Sequence, residues 1–160
     1  MRFENKVALV VGSACGMGNA TVKQLLREGA RVVAFDNRAD AMDDLADEIA
    51  DECPDAPGTL DPFIGDVTDK EAREGVLPHV RETYGSIDEL CYVAGTLDLM
   101  CPAHKCDDEL WDYVIDVNVT SAFKLIRDAL PMLLDHEGPA ANVVIVGSVG
   151  GLFGSTAGAA

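Results

Sequence analysis

Basic residues are scarce in this 160-residue chain: 12 Lys and Arg stand against 28 Asp and Glu, a net charge of −16. A surface of that sign repels a phosphate backbone at long range, which argues against nucleic acid as a partner. The acidity reads as a solvated surface or as the mark of a salt-loving source, and it says nothing about a reaction. Long apolar runs are lacking too. The stretch Val7 to Val11 is too brief for a signal-peptide core, and nothing approaches the roughly 20 residues that span a bilayer, so no membrane partner is expected. Paired cysteines are missing. The five, at positions 15, 53, 91, 101 and 106, are odd in number and irregular in spacing, which speaks against a disulfide scaffold and for a reducing cytoplasm. Cys101, His104 and Cys106 lie close together, but no second Cys or His pair follows to complete four ligands, so no metal site is expected. What remains, with 48% hydrophobic residues and neither linker nor repeat, suits one globular α/β domain over residues 1–160.

Between Lys6 and Asp36 the order of residues is informative. An apolar run, Val7 to Val11, leads into Gly12-Ser13-Ala14-Cys15-Gly16-Met17-Gly18, then a helix-like stretch, then Arg31-Val32-Val33-Ala34-Phe35 ending in Asp36. Such an order predicts a βαβ unit that binds a dinucleotide. Glycine lets the chain turn sharply off the strand, approach a pyrophosphate without a Cβ in the way, and pack the helix on the sheet, while the helix N-terminus offers unpaired N–H groups to phosphate. Glycines also punctuate ordinary strand-to-helix turns. Here the acid at the end of the second apolar run lies about where a carboxylate reaches the adenosine ribose hydroxyls, and that setting favours nucleotide binding.

Helix and strand patterns then alternate to the end, which predicts a doubly wound parallel sheet of about five strands in a three-layer α/β/α arrangement. Met42, Leu45, Ile49 and Cys53 fall at helical spacing, with acids largely elsewhere around that helix. Residues 63–67 read as a short third strand ending in Gly65-Asp66-Val67, and residues 69–84 as a helix made imperfect by Gly75 and Pro78. Residues 87–94 read as the fourth strand. The segment 107–134 reads as one long helix whose apolar positions cover more than one face, one for the sheet and one for a partner, which suggests a homo-oligomer. Gly138 and Pro139 are expected to end it. Residues 142–148 read as a fifth strand, apolar on both faces as an interior parallel strand is.

The glycine spacing and these later signals resemble the short-chain dehydrogenase/reductase family over nearly the whole chain. Its fingerprint, Thr-Gly-x-x-x-Gly-Ile-Gly, is similar to Val11-Gly12-Ser13-Ala14-Cys15-Gly16-Met17-Gly18. The resemblance implies a Rossmann-like fold and hydride transfer between a nicotinamide and a secondary alcohol or ketone. It implies a cofactor site of Gly12, Ser13, Cys15, Gly16, Met17, Gly18, Asp36, Asn37, Asp66, Val67, Ala94 and Gly95. Asp36 implies NAD over NADP, because a carboxylate accepts ribose hydroxyls and repels a 2′-phosphate; Arg38 stands nearby. Asp66-Val67 resembles the family's adenine-contacting pair. Tyr92-Val93-Ala94-Gly95 takes the place of Asn-Asn-Ala-Gly, keeping the small pair and losing both amides. Asn118 resembles the helix asparagine that holds a water in the proton relay, and Ser148 the serine that hydrogen-bonds the substrate.

Family members place a catalytic Tyr about thirteen residues beyond that Ser and a Lys four further, which act together as the proton-transfer pair. Counted from Ser148, the Tyr falls at the first position after Ala160. The expectation is therefore a C-terminally incomplete domain, inactive by the family route and with its fifth strand left as an exposed apolar edge prone to association. A nucleotide-binding or oligomerisation module without catalysis is the alternative.

Overall fold

The computed structural model describes residues 1–135 and 140–152. Gly138 and Pro139, expected to end the long helix, lie outside the described residues. Five strands form one wholly parallel sheet: β1 (Val7–Val11), β2 (Arg31–Asp36), β3 (Thr59–Ile64), β4 (Glu89–Tyr92) and β5 (Asn142–Ile145). Their spatial order is β3-β2-β1-β4-β5. Helices α1 (Gly16–Arg27), α2 (Ala39–Glu52), α3 (Lys70–Tyr84), α4 (Asp108–Ile115) and α5 (Ser121–Leu134) make the connections. The α/β alternation read from the sequence is the one found.

Strand periodicity sorts the core onto two faces. Val7, Leu9 and Val11 of β1, with Val33 and Phe35 of β2, join residues of α3 and α5 such as Val76, Val80, Leu125 and Ala129. Ala8 and Val10, with Val32 and Ala34, join Val22, Leu25 and Leu26 of α1 and Met42 and Leu45 of α2. All of β1 is buried, as expected of a central strand covered on both sides. The start of the sheet is fixed by Asp88, whose carboxylate accepts from Lys6 Nζ at 2.6 Å and from Val7 N–H at 2.8 Å.

Several boundaries differ from the sequence expectation. The third strand begins at Thr59 and ends at Ile64, leaving Asp66 and Val67 in the turn beyond it. It pairs residue by residue with β2, and Pro62 is tolerated because β3 is an edge strand with only one ladder to supply. The fourth and fifth strands are shorter than expected, four residues each. Helix α3 runs through Gly75 and Pro78. A helix-interior proline costs about 3 kcal/mol, but burying Val76, Leu77 and Val80 returns about 1.5–3 kcal/mol each. The segment 107–134 is divided: between α4 and α5, residues Asp116–Thr120 form a π-turn in which Ser121 N–H reaches Asp116 O. The inserted residue rotates the apolar stripe around the helix axis, which is why no single helical face accounts for it. Finally, β5 has the composition of an interior strand but lies at the sheet edge, the exposed apolar edge expected from the sequence, with Val143, Val144 and Ile145 exposed, as is Val146 just beyond it.

Candidate functional site

The strand order reverses direction between β1 and β4, one connection leading to β2 and β3 and the other to β5. At such a switch point the loops beyond the strand C-termini diverge and leave a crevice. A cavity of about 370 Å³ opens there, and Gly12, Cys15, Gly16, Met17, Asp36, Asn37, Asp66, Val67, Ala94 and Gly95 all line it, together with Arg38, Thr96 and Tyr113. A second cavity, about 450 Å³, lies between α3 and α5 around Leu77, Arg81, Arg127 and Met132, away from the strand ends.

The glycine loop is tied to its neighbour before it reaches α1: Gly12 N–H donates to Phe35 O at 2.8 Å. Gly18 is required by packing. A Cβ there would stand 1.9 Å from Gly12 O and 2.8 Å from Gly12 C, so only a hydrogen allows the first turn of α1 to lie on the loop. Gly16 instead faces open space, with φ +53 and no atom within 4 Å of where a side chain would begin. Cys15 caps α1 in an extended conformation without a side-chain hydrogen bond, and the first turn carries no acid. Bare backbone N–H groups and the positive end of the helix dipole are thus presented to the cavity, which fits the pyrophosphate of a dinucleotide.

Across the cavity stand the acids. Asp36 is only 9% exposed; its Oδ2 accepts from Ala14 N–H at 3.0 Å and its Oδ1 from Arg38 N–H at 3.1 Å. The Arg38 guanidinium lies 3.7 Å from Oδ1. Asp66 accepts from the Thr68 amide at 2.8 Å and hydroxyl at 2.7 Å, and from Asn37 Nδ2 at 3.0 Å. Burial alone pushes this carboxyl up, but the bonds from Thr68 and Asn37 outweigh it and hold Asp66 below its ordinary value. Behind it, buried Arg73 donates to Val67 O at 3.0 Å and to Thr68 O at 3.3 Å, fixing the turn. Nothing in the local sequence marks Arg73 for that task, since its targets are set by how α3 lies on the sheet.

Four expected residues stand apart from the cavity wall. Ser13 is fully buried, and its hydroxyl faces the Met42 sulfur at 3.4 Å, towards α2. Gly18 is covered by the loop. Asn118, on the π-turn, accepts from Thr96 N–H at 2.8 Å and donates to Thr96 O at 2.9 Å, so its amide grips the wall from behind. Ser148, exposed beyond β5, accepts from Gly150 N–H at 3.1 Å and does not line the cavity. Thr96 went unnoticed in the sequence, and nothing there suggested that Tyr113 reaches the site, yet both line the cavity; a helical tyrosine and a loop threonine carry no local signal. All five cysteines are free, and among the described residues no cluster of three His, Cys, Asp or Glu could hold a metal.

A parallel sheet with a bare glycine loop and an acid at its switch point defines a nucleotide-binding α/β protein. The chain belongs to the short chain dehydrogenase family, whose sequence profile matches residues 6–160. It is 35% identical over 156 residues to 3-oxoacyl-(acyl-carrier-protein) reductase FabG of Thermotoga maritima, covering 97% of this chain and 60% of that protein. Among solved structures, a short chain dehydrogenase from Mycobacterium smegmatis superposes with a TM-score of 0.87 at 29% identity, covering 98% of this chain and 64% of that one. A short-chain dehydrogenase/reductase from Burkholderia xenovorans gives 0.86 at 27% identity, covering 98% and 62%. The chain thus spans about 60% of the length of these relatives. The family is one of oxidoreductases that use NAD(P), and no helix among the described residues is long and apolar enough to cross a membrane.

Proposed function

We propose that residues 1–160 are the cofactor-binding part of an NAD-dependent dehydrogenase or reductase acting on a small secondary alcohol or ketone. The observation that carries the choice of NAD is Asp36: a buried carboxylate on the cavity wall, oriented by two backbone N–H groups. It suits ribose hydroxyls as donors and opposes a 2′-phosphate. In this reading Gly12, Ser13, Cys15, Gly16, Met17 and Gly18 form the pyrophosphate loop, with Ser13 and Gly18 shaping it from within. Asp36 and Asn37 serve the ribose, Asp66 and Val67 the adenine. Ala94 and Gly95 floor the nicotinamide side, with Asn118 behind them and Ser148 reserved for substrate. The bound nicotinamide supplies hydride chemistry; the residues described supply binding, orientation and exclusion of water.

Calorimetric titration with NAD and with NADP tests the choice. Tighter binding of NAD is expected, and equal or tighter binding of NADP overturns it. The position of Ser148 outside the cavity wall favours a second reading for the 160-residue polypeptide itself, namely binding without turnover. Sustained NADH production from NAD and a panel of secondary alcohols would refute that. Five free thiols support a reducing cytoplasm. The exposed Val119, Phe123, Leu130 and Leu134, spaced by four, seven and four residues, support self-association through α5.

A further inference from the structure

Beyond β4 the cavity wall depends on ties from a distant element. Val93 and Ala94 N–H both donate to Val11 O at 2.9 Å, which anchors the wall to β1, but Thr96 is gripped at both main-chain groups by Asn118. Asn118 rides on the π-turn Asp116–Thr120. A π-turn holds one residue more than an α-helical turn and interrupts the regular α-helical ladder, so groups set there draw on support from outside it. Tyr92 provides it. This residue ends β4 with only 1% of its surface exposed, and its hydroxyl donates to Val117 O at 2.7 Å, across 25 residues of sequence. Burial, followed by the Asp116 charge, pushes the phenol up, so it remains a proton donor throughout the neutral range.

We propose that Tyr92 is a positioning residue for the dinucleotide site, its hydroxyl holding the Val117 carbonyl so that Asn118 keeps Thr96, and with it the Ala94-Gly95 floor, in place. The proposal rests on the dinucleotide reading above. Tyr92 replaces an amide in the family pattern, and a phenol can do this work because it spans from the strand end to the π-turn while filling the space between them. Phenylalanine would fill the same space and leave the Val117 carbonyl without that donor.

Tyr92→Phe in the full 160-residue chain tests the proposal through two readouts. Hydrogen exchange at the Thr96 amide should quicken about tenfold, while amides of β1 and β2 keep their protection. NAD should bind about tenfold more weakly, while ADP, which lacks the nicotinamide half, changes less than about twofold. Asn118→Ala, an exposed substitution that spares the core, should give the same split between NAD and ADP, and Tyr92→Phe should add little to it. This second variant carries the test if Tyr92→Phe does not fold. Unchanged Thr96 exchange in Tyr92→Phe, equal weakening of NAD and ADP, or an unchanged NAD-to-ADP ratio in Asn118→Ala overturns the role of Tyr92 alone. A parent chain that binds neither NAD nor ADP overturns the dinucleotide reading, and this proposal with it.

Discussion

Replacing Gly18 by alanine is expected to destabilise the chain although the substitution lies in a helix. In an exposed helix interior, Gly→Ala stabilises by about 1 kcal/mol. Here the added methyl would stand 1.9 Å from Gly12 O, 2.8 Å from Gly12 C and 3.0 Å from Ser13 Cα. Reaching ordinary contact requires a shift of roughly 1.5 Å against backbone, which has no rotamer to yield. Overpacking of this kind costs about 1–3 kcal/mol, and the rigid partner puts it at the upper end. The net loss is then about 2 kcal/mol. Because Gly12 N–H is bonded to Phe35 O, displacing the loop also disturbs the amides proposed to bind phosphate, and NAD affinity should drop at least about tenfold. Urea unfolding and calorimetric titration measure the two effects. Gly16→Ala is the control. It meets no atom within 4 Å and incurs only its left-handed φ, about 1 kcal/mol. A Gly18→Ala chain that is more stable than its parent and binds NAD unchanged would refute the reasoning.

Asp36→Ala should weaken NAD about tenfold by removing a charged acceptor, and should raise NADP relative to NAD because Arg38 remains; an unaltered ratio in competition titrations counts against the ribose role. The same change leaves Ala14 N–H without its partner and should lower stability by about 1 kcal/mol in urea. Tyr84, whose hydroxyl donates to Asp61 at 3.0 Å, is pushed up to about 12, first by burial and then by that carboxylate. With the folded value raised, its stabilisation is complete below pH 10 and is lost as pH rises through about 12. Tyr84→Phe should therefore cost about 1 kcal/mol at neutral pH, the difference from the parent should vanish on the alkaline side, and ultraviolet difference titration should lose a late-ionising component. Phe123→Glu places a charge in the exposed stripe of α5 and should reduce the sedimentation coefficient of any assembly formed through it; an unchanged coefficient for an associated parent assigns the contact to another surface, such as the open edge of β5.

The glycine loop, the acid at the end of β2 and the α/β/α layering were all legible in the sequence. They are local matters: short apolar runs alternating with helical spacing, the room a turn needs, the spacing from strand to helix to acid. The third strand was misplaced because Asp61 and Pro62 interrupt its pattern, and only pairing with β2, from Arg31 opposite Thr59 to Asp36 opposite Ile64, makes them strand residues. The break between α4 and α5 was hidden for a similar reason, since residues 107–134 favour helix throughout and the π-turn shows only in the folded chain. Tyr92 looked like a lost amide, yet its hydroxyl meets a carbonyl of that turn. Local sterics and periodicity are written into neighbouring residues, so the sequence determined the glycine loop and the layered sheet. Hydrogen bonds between groups brought together across 22 or 25 residues depend on how helix and strand are juxtaposed, and only the tertiary structure decided which side chains support the site.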